Sequence, residues 1–305
     1  MQRTPSQHGQ VSAATTPTVV VLARECTSAA RIANAFRPTT VCRVSTVEEL
    51  SAAVRERATF VVAVLAEGRD ARNEPVAPAL TMLMAQYPDV PFLGYCGVGV
   101  SHAEEVRELA RAGVHELVFR DVDDRPTLLR AKLNRGNEVR AGANVVRRLS
   151  GQLPELLHGI VAYCVGFPRE SHEIERIALA LGVHRKTLVN WCQRARTPPP
   201  SVLVTWVRLL LAVEMLQVPG HTVERVARGL GFASGSGFRN LCRRYCGRRP
   251  AELRCPAGRE AAYRAFAKSL AKRRQTSLCE NPAPVVGGAL RDAEADIRCS
   301  APASR

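Results

Sequence analysis

Two stretches of this 305-residue chain repeat one arrangement of apolar, small and polar residues. The first is Ile174-Glu-Arg-Ile-Ala-Leu-Ala-Leu-Gly-Val-His; the second, about 49 residues later, is Val223-Glu-Arg-Val-Ala-Arg-Gly-Leu-Gly-Phe-Ala. Each reads as a short amphipathic helix with Ala at its fifth position, closed by Leu-Gly and an apolar residue, with a second helix following at once. The small Ala178 and Ala227 allow close helix crossing, and Gly182 and Gly231 allow the left-handed turn between helices. That is the mechanical requirement of a helix-turn-helix, which presents side chains to base edges and phosphates by hydrogen bonding and charge, without covalent chemistry.

The charge of the chain agrees with a polyanionic partner. Formal net charge is +15, and residues 136–254 hold 18 basic against 8 acidic side chains, nearly all of the basic ones Arg. Arg suits bidentate contacts with phosphates and guanine edges. Residues 1–135 hold 16 basic and 15 acidic side chains and are nearly neutral. The ten cysteines are scattered, several of them inside apolar runs (Cys42, Cys96, Cys164, Cys192), so reduced thiols in the cytoplasm are expected, not a disulfide scaffold. Cys242 and Cys246 could share a helix face, but no second Cys/His pair at finger spacing accompanies them, and neither a metal nor a cofactor is expected. The N-terminus lacks an apolar signal core. The run Val202 to Val218 is broken by Arg208 and Glu214, so it reads as a buried helix and no membrane span is expected.

Two kinds of element must position these residues. After a tail over 1–16 expected to be disordered, strand and helix signals alternate. Strands are expected at Thr18 to Ala23, Thr40 to Val44, Thr59 to Leu65, Pro91 to Cys96 and His115 to Phe119, with the Thr59 run central. Helices are expected at Thr27 to Phe36, Thr46 to Glu56 (capped by Thr46), Ala77 to Gln86, Ser101 to Ala112 (capped by Ser101 and ended by Gly113) and Pro126 to Asn134. The pattern predicts a doubly wound α/β domain with a five-stranded parallel sheet, flavodoxin-like in class, over 17–136. From about 138 every signal is helical, with helices expected at 140–149, 154–165, 172–181, 184–194, 201–217, 222–230, 234–246 and 257–272. This divides the remainder into a connector over 137–169, a double helix-turn-helix domain over 170–256, and a C-terminal helix over 257–272 with a disordered tail from about 274 to 305.

Residues 172–254 resemble the DNA-binding domain of AraC-type transcriptional regulators. The match is strongest at Gly231-Phe232-Ala-Ser-Gly-Ser-Gly-Phe238, followed by Arg243, Tyr245, Gly247, Pro250 and Arg254. The resemblance implies base-reading faces in 184–194 and 233–244. In the first, Arg185, Lys186, Thr187, Asn190, Gln193 and Arg194 are the polar residues available, with Leu188 and Trp191 turned to the core. In the second, Ser234, Ser236, Arg239, Asn240, Arg243 and Arg244 are available. Asn can read adenine and Arg guanine, each with paired hydrogen bonds. Cys242 stands where the family usually has Phe. Gly235 and Gly237, at about 1 kcal/mol each in helix propensity, predict a second reading helix ordered in part by DNA. Leu203, Val207, Leu210, Leu211 and Met215 suit helix 201–217 to packing against both units. Double-stranded DNA is the expected ligand; RNA polymerase and a second copy paired through the N-terminal domain are the further partners expected.

The N-terminal alternation, with Ala112-Gly113-Val114 before the last strand, resembles the receiver domain of response regulators. That resemblance implies clustered carboxylates and an Asp acceptor at strand ends, a hydroxyl and a Lys. Here the first strand runs into Ala23-Arg24-Glu25, the acceptor position falls near Val64 with no Asp before Asp70, Cys96 replaces the hydroxyl and Arg120 the Lys. Glu67 reads as a solvated loop acid. A degenerate receiver without phosphotransfer is expected, and no enzyme. The alternatives are a phosphorylation-dependent response regulator, or an amidotransferase-like enzyme using Cys96 in Gly94-Tyr-Cys96-Gly-Val-Gly with His102 or His115 as base.

Overall fold

The computed structural model describes residues 18–36, 39–58, 61–171, 173–218 and 221–280. The tails expected to be disordered over 1–16 and beyond 280 lie outside the described residues. Five strands, β1 (Thr18–Leu22), β2 (Thr40–Val44), β3 (Val61–Ala66), β4 (Phe92–Cys96) and β5 (Glu116–Phe119), alternate with helices α1 (Cys26–Phe36), α2 (Val47–Arg57), α3 (Ala77–Gln86), α4 (Ala103–Ala112) and α5 (Pro126–Ser150). The strands pair in parallel in the order β2-β1-β3-β4-β5, with β3 central as its apolar run predicts. This is the flavodoxin-like order.

Alternation along each strand divides the core into two layers. Val19, Val21, Ala63, Leu65 and Tyr95 pack with Ile32 and Ala35 of α1 and Leu129 of α5. Val20, Leu22, Val64 and Phe92 face the other way, toward Leu50 and Val54 of α2, Leu80 and Leu83 of α3 and Leu109 of α4. Two helix ends are as the sequence suggests: Thr46 accepts from the Glu49 amide, and Gly113 closes α4 in the left-handed region at φ 84°. Ser101 does not cap α4. Val100–His102 form a separate 3-10 turn and α4 starts at Ala103 with His102 before it, so the Ser101-to-Glu104 spacing is taken up by the turn.

Helix α5 is the second departure. It runs without a break from Pro126 to Ser150, through Gly136 and Asn137, where separate helices at Pro126 to Asn134 and 140–149 are expected. Both residues are buried: a Cβ at Gly136 would sit 3.4 Å from a Leu93 methyl, and Asn137 donates back to the Leu133 carbonyl. Packing on the sheet at one end and on helices at the other outweighs the poor propensity between them. The C-terminal half of α5 lies against α6 (His158–Gly166) and α9 (Pro200–Leu216). Gly142 makes this approach feasible, since a Cβ there would meet Val165 Cγ1 at 2.4 Å.

The remaining helices are α7 (Ile174–Ala180), α8 (Arg185–Arg194), α10 (Val223–Gly229), α11 (Gly235–Cys246) and α12 (Pro256–Glu280). Helix α12 continues past 272, where the sequence pattern ended it, to Glu280. One apolar cluster joins α5 through α12, with α9 at its centre. The two charges inside the apolar run of α9 are buried with it. Arg208 donates to the Leu230 carbonyl at 2.7 Å and lies over the Phe232 ring, while Glu214 is fully buried and accepts from Tyr263 Oη at 3.1 Å. No helix among the described residues is long and apolar enough to cross a membrane.

Candidate nucleic-acid interface

The two sequence repeats fold into two like units, α7–α8 and α10–α11, each hung on α9. In both, the alanine and the turn glycine take the places their types require. Ala178 and Ala227 are buried between helices, and Gly182 and Gly231 have φ of 66° and 69°. A Cβ on Gly231 would also meet the Arg169 backbone at 3.1 Å, so that turn is closed to side chains on two grounds. Arg208, reaching from α9 to the Leu230 carbonyl, fastens the second turn to the central helix.

Helix α8 buries Leu188 and Cys192 and half-buries Trp191, so its opposite face is polar. Arg185, Lys186, Asn190, Gln193 and Arg194 are exposed and Thr187 is partly buried. Lys186, Asn190 and Gln193 fall at helical spacing on one stripe. Helix α11 buries Phe238 and Cys242 and half-buries Tyr245; the Cys242 thiol is pushed up to about 12 by burial, and the residue serves as a small part of the core. Its open face carries Ser236, Arg239, Asn240, Arg243 and Arg244, all exposed, with Ser234 at the helix start.

The glycines of α11 do not leave its beginning unformed. Gly235 is the first residue of the helix, and the Gly237 amide donates to Ser234 Oγ at 3.0 Å. At the first turn a glycine interrupts no completed ladder, and the serine cap satisfies one of the free amides. Gly235 lies beside the Glu224–Arg239 ion pair, where a Cβ would make ordinary contact with Glu224 Oε1 at 3.4 Å. The first unit has a counterpart in Arg185–Glu175, at 3.2 Å. In both units a glutamate of the leading helix holds an arginine of the reading helix. By contrast Lys186, Arg194, Arg243 and Arg244 form no ion pair among the described residues, and their charge faces solvent.

The carboxyl edge of the sheet, where ligands of such folds bind, is differently built. Val64 is buried inside β3 and not at its end; the strand ends at Ala66, and Glu67 is the first residue beyond it. Nor is Glu67 a solvated loop acid: it is 2 % exposed. It accepts from the Arg24 amide at 3.0 Å, from Arg24 Nε at 3.4 Å and from Arg120 Nη2 at 2.9 Å. Arg24 thus stands where a paired acid was sought and Arg120 where a lysine was, and both are turned on the same carboxylate. Asp70 is buried and used up in the loop: burial would raise its pKa, but amides of Glu74, Arg72 and Val47 donate to it and hold it below the usual carboxylate range.

Cys96 closes β4 with 1 % exposure, and burial, with Glu105 and Glu67 nearby, pushes its thiol up to about 12. Both histidines considered as a base have other hydrogen-bond partners. His102 Nδ1 pairs with Glu105 Oε2 at 3.3 Å, and His115 Nδ1 accepts from the Phe92 amide at 3.0 Å, at the opposite end of β4. Burial brings His115 down to about 4.

The architecture therefore defines a class: a flavodoxin-like α/β fold followed by paired helix-turn-helix units. Residues 177–255 match the family model described as a helix-turn-helix domain. No curated protein matches the chain. Among solved structures, full-length FixJ from B. japonicum is similar at 12% identity, over 67% of this chain and 98% of that one, with a TM-score of 0.33.

Proposed function

We propose that this chain is a sequence-specific transcriptional regulator in which a receiver-like domain over 17–136 and a connector over 137–169 precede a double helix-turn-helix domain over 170–256. The carrying observation is the pair of like units, each with an exposed polar face, fastened to one buried helix. Arg185, Lys186, Thr187, Asn190, Gln193 and Arg194 form one contact set, and Ser234, Ser236, Arg239, Asn240, Arg243 and Arg244 the other. The two reading helices enter successive major grooves, and one chain reads two unlike half-sites. The protein acts in the cytoplasm, with RNA polymerase and a second copy of the chain as further partners.

In this reading the α/β domain takes no phosphoryl group and performs no catalysis. Glu67 already carries two guanidinium partners, one of which, Arg24, also pairs with Glu105, so the acids at this edge are matched by arginines and make a poor Mg²⁺ site. A thiol with a pKa of about 12 holds almost no thiolate near neutrality, which argues against Cys96 as a nucleophile.

Two experiments on the full chain test this. Incubation with acetyl phosphate and Mg²⁺ should leave its mass unchanged; a stable single-phosphoryl adduct on an Asp or Glu would restore the response-regulator alternative. Competition between a selected duplex and random DNA should favour the selected one by about 10³-fold or more. Equal affinity would leave only a nonspecific nucleic-acid binder.

A further inference from the structure

A cleft of about 590 Å³ lies between the amino-terminal edge of the sheet and the helical region. Its size falls within the range of small-molecule sites, roughly 300–1,000 Å³. Val61 and Pro91, at the starts of β3 and β4, face Val218 and Pro256 from the helical side and make much of the wall apolar. Three arginines also line it, Arg140 of α5, Arg254 in the turn before α12, and Arg259 of α12, against a single lining carboxylate, Asp89.

Arg254 Nη2 donates to the His221 carbonyl, but the other two guanidinium groups are short of acceptors. Arg140 is 2 % exposed and makes one long bond, from Nη2 to the Glu214 carbonyl at 3.4 Å. Its Nε and Nη1, and Nε of Arg259, are buried without a hydrogen-bond partner. Arg140 Nη1 lies 3.8 Å from Asp89 and 3.9 Å from Glu214, too far for hydrogen bonds to either. Buried donors without acceptors are costly, and in a folded protein they point to a group that completes them.

Asp89 tells what that group is. It sits in the loop between α3 and β4, half-exposed, and its carboxylate contacts Arg259 Nη1. Among the described residues it is the only acid of the α/β part within ion-pair reach of this cluster of arginines. Its carboxylate occupies the position that an anion entering the cleft would take.

We propose that this cleft binds a small amphipathic anion, a carboxylate or phosphate on an apolar body, whose charged head displaces Asp89 from Arg259 and Arg140. Arg254, exposed at the mouth, adds a third donor group, and the valine and proline wall takes the apolar body. Displacing Asp89 removes an ion pair that ties the α/β part to α12, so the ligand loosens one half of the molecule from the other.

The test is calorimetric titration of the full chain with octanoate and with octyl phosphate, using neutral octanamide as the control. At least one anion should bind saturably, and octanamide at least about tenfold more weakly. Binding of octanoate alone would identify a carboxylate ligand, and of octyl phosphate alone a phosphate. Asp89→Asn, which removes the internal competitor, should tighten binding about tenfold, and Arg259→Gln should weaken it by a similar factor. Should Arg259→Gln unfold, as judged by circular dichroism, the exposed Arg254→Gln carries the same charge test and should weaken binding several-fold. The proposal is overturned if neither anion binds wild type or Asp89→Asn up to on the order of 10 mM. Octanamide binding as tightly as the anions, or an affinity that Asp89→Asn leaves unchanged, would overturn it equally.

Discussion

The carboxyl edge of the sheet and the reading helices use the same residue type in opposite ways. At the sheet edge Arg24 and Arg120 converge on the buried Glu67. On α8 and α11, Lys186, Arg194, Arg243 and Arg244 are exposed and make no ion pair among the described residues. A cation already matched inside the protein has nothing left to offer a phosphate, whereas an unmatched surface cation keeps its full value for a polyanion. The arginine excess in 136–254 therefore matters less as a total than in where its partners are missing. Arg185 and Arg239 fall between the extremes, each held by a glutamate of its own unit.

The largest expected effect that separates the two regions is on stability. Arg120→Ala leaves Glu67 buried with Arg24 as its one charged partner and should cost about 3 kcal/mol in urea unfolding. Arg243→Ala, an exposed change, should cost less than about 0.5 kcal/mol in the same assay. If the two variants unfold alike, the contrast fails.

Next is base discrimination. Asn240→Ala should relax preference at one half-site by about 1–3 kcal/mol and leave folding unchanged. A uniform loss across all sequences would reassign Asn240 to backbone contact. Arg244→Ala should act uniformly, with the log–log slope of affinity against salt reduced by about one. A slope identical to wild type would remove Arg244 from the interface. The smallest effect belongs to Cys96→Ser, whose DNA affinity should stay within about twofold of wild type, because the thiol is buried and un-ionised. An oxidant that shifts DNA binding only when Cys96 is present would instead make the sheet edge a redox sensor.

The strand–helix alternation, both helix-turn-helix units and the turn glycines were legible because they depend on short-range pattern: apolar period, a Thr46 cap, and positive φ at Gly113, Gly182 and Gly231. What escaped depends on partners distant in sequence. Glu67 looks like a loop acid until Arg24 and Arg120, 43 and 53 residues away, close on it. The continuity of α5 through Gly136 and Asn137 needs the sheet and α9 on either side. Ser101 carried a capping signal that a local 3-10 turn consumed, and the α11 glycines look weakening only until their first-turn position is known. The charges in α9 were visible as interruptions, but their roles, Arg208 on the Leu230 carbonyl and Glu214 under Tyr263, could not be read without the tertiary contacts.

The central claim is that two reading helices on one chain engage one duplex together. Hydroxyl-radical footprinting of the full chain on a selected duplex tests it most directly. The account predicts two protected patches on one face, centred about 10 base pairs apart, with Asn190→Ala weakening one and Asn240→Ala the other. Protection confined to a single groove segment, or both substitutions weakening the same patch, would contradict it.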